Sequence, residues 1–232
     1  MRKGTAAAPS MSHNALYAAQ WRSMKENESQ TQDAEADNMG ELTLEERGSL
    51  IVNACLEQAS TSPYQVFRDV ARQDFVRVHG PEHHVLDGAA LLTAYRNAGG
   101  SVDLPAALAE LMSRGLQMPG AMCGRWGVCG AVASVGAALS ILEQTGPLTS
   151  DDSWGSHMGY TSRALGELSR IGGPRCCKRD AYVSLLAAVD YVRDRFGVSL
   201  QKDDISCGFY PQNAQCLGEK CPFFPATGSA AR

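Results

Sequence analysis

The sequence predicts an all-α protein: a compact multi-helix domain followed by an irregular, cysteine-rich C-terminal tail. Two observations carry that expectation. Apolar residues recur at helical spacing in one segment after another, as in Val183, Leu185, Leu186, Val189, Val192 and Phe196. Segments of this kind also open on capping residues and close on glycine, as that last one does at Gly197. No convincing alternating run marks a strand, and no internal repeat is found.

Taken in order, residues 1–40 read as a disordered N-terminal extension, because Lys25 to Asn38 is polar, acidic and almost free of large apolar residues. Order begins at Thr43, which with Glu46 has the spacing of a capping box. The helix behind them carries Ile51, Val52, Cys55 and Leu56 on one face, so Cys55 reads as core packing. Ser62-Pro63 opens a second helix, with Pro at its first position, bearing Val66, Val70, Phe75 and Val78. His79-Gly80-Pro81-Glu82-His83-His84 then punctuates the chain. A largely buried helix follows from Val85 to Tyr95 and ends at Gly99-Gly100. Pro105 to Leu116 is a shorter helix with Leu108, Leu111 and Met112 as its apolar side. The glycine-spaced run Cys123 to Gly130 feeds a helix of small residues from Ala131 to Leu139. Thr149 to Asp152 supply caps and first-turn acids for the helix running to Ile171. Beyond Phe196 the tail turns irregular, and residues 226–232 read as disordered. One cysteine-rich helical domain therefore spans 41–225.

A chain of 232 residues, 44% hydrophobic and 20% charged, can bury a sizeable core. Its net charge of -4 argues against broad nucleic-acid binding, so no DNA partner is expected. No segment approaches the ~18 uninterrupted apolar residues of a membrane span. Thr5-Ala6-Ala7-Ala8-Pro9 is too short and weak for a signal-peptide core, so the expected setting is cytoplasmic. There, eight cysteines point to metal or redox chemistry before structural disulfides.

The chemistry centres on Gly172-Gly173-Pro174-Arg175-Cys176-Cys177-Lys178-Arg179-Asp180, a turn that delivers two adjacent thiols to a helix start. Unpaired N–H groups and the positive dipole end there favour anions. With Arg175, Lys178 and Arg179 alongside, the thiol pKa values are expected to fall. Cys129 stands at a second helix start, behind Cys123 and the glycines at 124, 127 and 130, whose backbone can approach a ligand closely. Cys207, Cys216 and Cys221 lie in the tail among Phe209, Tyr210, Phe223 and Phe224. Of the histidines, His83 or His84 is the candidate base or ligand ahead of His79.

These residues resemble a cysteine-rich domain of unknown function found mainly in anaerobic prokaryotes. The resemblance spans about His79 to Phe224. It rests on His83-His84, Cys123-Gly124-x-x-Gly127-x-Cys129-Gly130-Ala131, Gly172 through Asp180, and Cys216-Leu217-Gly218-Glu219-x-Cys221-Pro222. It supports the domain and brings no activity with it.

Setting Cys55 aside, the candidate metal ligands are Cys123, Cys129, Cys176, Cys177, Cys207, Cys216 and Cys221. Four thiolates suffice for one iron–sulfur cluster, with 4Fe-4S the expected type, or for one zinc. Iron–sulfur is favoured because paired Cys-x-x-Cys knuckles are absent, glycine-rich backbone near the thiols can donate N–H bonds to cluster sulfides, and Cys221-Pro222 echoes the Cys-Pro ending of ferredoxin motifs, a weak signal alone. Gly124, Gly127, Gly130, Arg175 and Lys178 are expected to surround the anionic cluster with N–H groups and positive charge. Zinc and metal-free thiol chemistry remain the alternatives. Adjacent cysteines rarely both ligate one metal, so one of Cys176 and Cys177 is expected to ligate while the other, near His83, does chemistry. The expected function is sulfur transfer or redox chemistry of anaerobic metabolism, with a redox or sulfur-carrier partner protein. The competing reading is a non-catalytic module in which zinc or a cluster staples the tail to the helices.

Overall fold

The structure, a computed structural model, describes residues 41–226. Among the described residues there are eight α-helices, two 3-10 turns and no strand, the all-α class that the periodicity predicts. The helices are α1 Leu44–Leu56, α2 Pro63–Ala71, α3 His83–Asn97, α4 Leu104–Leu116, α5 Met122–Arg125, α6 Gly130–Glu143, α7 Asp152–Ile171 and α8 Cys177–Phe196. The turns are Tyr210–Gln212 and Gly218–Lys220. The stretches expected to be disordered, 1–40 and 226–232, lie outside the described residues apart from Ala226.

Local signals set most helix ends. Thr43 and Glu46 form the full capping box, each side chain bonding the other's backbone N–H at 3.2 and 2.8 Å. Ser62 caps α2 through Gln65 N–H, with Pro63 at the first position. Asp103 caps α4 and Asp151 caps α7. Gly197 closes α8 at φ 66°, a left-handed backbone where Gly carries no Cβ penalty.

Two expectations needed correction. The second helix stops at Ala71, so Phe75 and Val78 do not lie on it. Tight turns take over instead: Gln73 N–H donates to Val70 O and Val76 N–H to Gln73 O. Phe75 still packs against the core from this turn. The short helix α5 was not foreseen; it follows Ala121, whose φ of 59° places a non-Gly residue in the left-handed region.

Helix α3 is the centre of the bundle. Every residue from His83 to Tyr95 is buried, and α1, α2, α4, α6 and α8 all touch it. A helix apolar on all sides must be enclosed, yet α3 also carries His83, His84 and Asp87 into that interior. Close approach of α6 depends on Gly88, where an added Cβ would lie 2.6 Å from Ser134 O. Gly88 N–H also donates to Ser134 Oγ at 2.9 Å. Helix α8 lies against α3, α6 and α7, which brings its N-terminus beside the turn before α3.

The segment after α8 is pinned rather than loose. Gln201 N–H donates to Thr61 O at 3.1 Å, Asp203 accepts from Ser62 Oγ and Gln65 Nε2, and Tyr64 Oη donates to Ser206 O at 3.2 Å. Cys207 N–H then donates to Phe223 O at 2.8 Å, closing the tail into a loop. Among the described residues no helix is long and apolar enough to cross a membrane.

Candidate metal centre

That loop folds back over the start of α8. Cys207, Cys216 and Cys221 meet Cys176 around one small cavity, walled by Tyr182, Phe209, Tyr210, Phe223 and Phe224 and bordered by Lys178, Arg179 and Asn213. The aromatic walls hold the loop in place. Tyr182 meets Phe223 edge-on at 5.2 Å between ring centroids, and Tyr210 meets Phe224 at 4.9 Å. Tyr182 is itself fully buried against Tyr64 and Phe67 of α2, so the core continues directly into the site.

Three of the four thiols have a hydrogen-bond donor aimed at the sulfur. Cys176 caps α8 and accepts from Arg179 N–H and Asn213 Nδ2, both at 3.5 Å. Cys216 accepts from Gly218 N–H at 3.4 Å. Cys207 lies 4.0 Å from the Tyr182 hydroxyl.

Lys178 brings positive charge to this wall. It is 1% exposed, its Nζ 3.1 Å from Arg77 O, 3.0 Å from His83 Nε2 and 4.8 Å from the Phe209 ring centroid. Among the described residues no carboxylate bonds to it. The acids around it are otherwise placed: Glu82 pairs with Arg77 at 2.9 Å and Asp180 with Arg179 at 2.9 Å. Asp87 stands 3.5 Å from His83 Nδ1 with both oxygens buried and unbonded. Burial without a bonded counter-charge pulls the Lys178 pKa down to about 8. Burial and the Lys178 charge likewise hold His83 near 3, so its imidazole is neutral.

The thiols do not titrate as the sequence suggests. Burial raises Cys176, Cys129 and Cys221 and pushes Cys177 up to about 12, outweighing the helix N-terminus and neighbouring cations. The charge pattern favours thiolates, but withdrawing them from water costs more. A bound cation reverses that balance by replacing the proton.

The seven candidate thiols fall into three places. Four surround the cavity. Cys123 and Cys129 line a separate open groove on the far side of Arg179, together with Gly124, Gly127 and Arg175. Cys177 turns toward the Gly80 backbone, where its own N–H donates to His79 Nδ1 at 3.4 Å. His83 is sealed in the interior and reaches the cavity only through Lys178. Gly130 starts α6 against His84, whose Nε2 an added Cβ would meet at 2.1 Å, so packing accounts for that glycine. Among the described residues no three His, Cys, Asp or Glu side chains are drawn together tightly enough to hold a single ion. Cys55 is fully buried in the core, as its apolar setting predicts.

Sequence reasoning passed over Asn213 entirely and gave His79 less weight than its neighbours. The signals were thin: an asparagine just after Pro211-Gln212, and a histidine beside a Gly-Pro turn.

No curated protein and no solved structure matches the chain. A family model matches residues 51–224, which takes in all eight cysteines and begins upstream of His79. The chain belongs to DUF5714, a family of unknown function.

Proposed function

We propose that the chain is an iron–sulfur protein whose cluster is held by Cys176, Cys207, Cys216 and Cys221, acting in sulfur transfer or redox chemistry of anaerobic metabolism. One observation carries the reading: four thiols share a cavity with a buried lysine that no carboxylate among the described residues bonds. A buried ammonium with no directly bonded carboxylate is costly. Four thiolates around a cluster are net anionic and would place further negative charge on this wall. The donors on the sulfurs fit the same occupant, because N–H···S bonds stabilise and tune a thiolate-bound cluster.

When bound, such a cluster supplies one-electron transfer or a site for sulfur exchange. The chain's residues shape where that happens. Tyr182, Phe209 and Phe223 exclude water, Lys178 fixes positive charge on one wall, and the loop from Cys207 to Phe223 forms the outer face. Cys177 stands next to Cys176 without lining the cavity, so it stays outside the proposed ligand set. A redox or sulfur-carrier protein is the partner this chemistry calls for.

The test is anaerobic purification followed by iron, sulfide and zinc analysis with an absorption spectrum. Iron and inorganic sulfide are expected in the native chain and in C55S. They are expected to be lost in C176S, C207S, C216S and C221S, with helical content by circular dichroism retained. Zinc in place of iron, or no metal at all, overturns the cluster. Loss of iron in C123S or C129S, with the four cavity variants unaffected, overturns the ligand set.

A further inference from the structure

The groove beyond Arg179 has about 670 Å³ of space, within the ~300–1,000 Å³ range of small-molecule sites. It contains two thiols of unlike exposure at either end of one short loop. Cys123 is partly exposed on α5, whereas Cys129 is buried as the N-cap of α6. Cys129 Sγ donates to Asp180 Oδ2 at 3.6 Å. Asp180 is held in turn by Arg179 Nε at 2.9 Å, and Arg179 by Pro174 O at 3.1 Å. The buried thiol is therefore fixed and the exposed one is reachable. Gly124, Gly127, Gly172 and Gly173 border open space, where an added Cβ would meet nothing within 4 Å. Exposed Arg175 lies on the groove lining and offers a charge for carboxylates.

We propose that this groove is a thiol–disulfide exchange site for a small, carboxylate-bearing disulfide, with Cys123 as the attacking thiol and Cys129 as the resolving thiol. In the first step the Cys123 sulfur attacks one sulfur of R–S–S–R. The substrate S–S bond breaks, a Cys123–S–S–R bond forms, and RS⁻ leaves to take up the proton that Cys123 gave up. In the second step Cys129 attacks the Cys123 sulfur. A Cys123–S–S–Cys129 bond forms, and the second RS⁻ leaves with the proton of Cys129. One disulfide is reduced to two thiols while two protein thiols are oxidised to one disulfide. Direct attack through the thiolate and resolution by a neighbouring thiol is the general course of such exchange. The proposal uses neither the four cavity thiols nor a metal, so it stands apart from the cluster reading.

The experiment uses the full chain, reduced, desalted and kept anaerobic, with glutathione disulfide as probe and peptide mapping by mass spectrometry. A Cys123–Cys129 disulfide and release of two glutathiones per chain are expected. C129S is expected to hold one glutathione on Cys123, and C123S to do neither. R175Q is expected to slow trapping of glutathione in the C129S background several-fold, with no change toward neutral hydroxyethyl disulfide. Circular dichroism identifies a variant that fails to fold, and C129A then replaces C129S. Absence of the 123–129 disulfide in the native chain, or glutathione on other cysteines alone, overturns the exchange site. Equal slowing with both disulfides overturns the role of the carboxylates. Iron content followed in the same samples is expected to stay constant, which separates failure here from failure of the cluster assignment.

Discussion

His79 and Asn213 are joined by a 3.0 Å hydrogen bond between Nε2 and Oδ1, across 134 residues of sequence. The imidazole also receives the Cys177 N–H on Nδ1, which assigns its proton to Nε2. Asn213 Oδ1 accepts in addition from Gln215 N–H, leaving its amide nitrogen to point at Cys176 Sγ. One neutral histidine thus clamps the tail to the start of α8 and orients a donor on a cavity thiol. Burial keeps its pKa below the ordinary histidine value, consistent with that neutral form.

Replacing either partner should loosen the loop that carries three of the cavity thiols. His79→Ala and Asn213→Ala are each expected to cost about 1–3 kcal/mol through a lost partner at a partly buried polar group. Both should also lower iron per chain. Thermal melts and iron analysis check this, and unchanged iron in both variants would separate the clamp from metal retention.

Lys178→Met should act in opposite directions on the empty and the loaded chain. Without metal it removes a buried cation that no carboxylate among the described residues bonds, so stability is expected to hold or to rise by about 1–4 kcal/mol. With metal it removes the positive wall of the cavity, so iron is expected to dissociate faster under a chelator. Parallel urea titrations of the two forms make the comparison.

Gly88→Ala tests the packing of α3 against α6. The added methyl would meet the Ser134 carbonyl at 2.6 Å, a backbone atom that cannot rotate aside. A loss of about 1–3 kcal/mol is expected, measured as a lower urea midpoint.

Acid should destabilise the metal-free chain over two successive pH ranges. His83 is held near 3 against 6.5 when unfolded, so the unfolded chain protonates first as pH falls. Its contribution is complete above pH 6.5 and is lost progressively toward pH 3, at up to about 1.4 kcal/mol per pH unit. Glu82 adds a second stage. Burial raises its pKa, but Arg77 and neighbouring charges hold it near 2, so its contribution is lost from about pH 4.5 downward. His83→Gln should flatten the slope between pH 6.5 and 4.5 without abolishing it, because His79 and His84 are also lowered. Urea denaturation at pH 7, 6 and 5 reads this out.

What could be read in advance was what neighbours in sequence decide. Thr43 with Glu46, Ser62 with Pro63, and Gly197 act within one helical turn, and all three boundaries fall where those residues place them. The end of α2 was less legible, since Phe75 and Val78 continue an apolar pattern that tight turns interrupt. Division of the thiols among cavity, groove and Gly80 turn depends on how α8, α3 and the tail meet. Spacing along the chain says nothing about that. The thiol pKa values went astray for a related reason: charges and dipoles are visible in a sequence, but depth of burial is not.

The loop closed by Cys207 and Phe223 also fixes an order of events during synthesis. Cys176 opens α8, while Cys207, Cys216 and Cys221 all follow it, so ribosomes complete every described α-helix before most of the proposed donor set exists. Chains grow at about 5–20 residues per second and their domains fold as they emerge. On the proposed assignment, metal arriving early would meet Cys176 alone of the four donors, too few ligands to be retained. Loading would then fall to a stage after the helices have closed, on a folded body with its clasp still open.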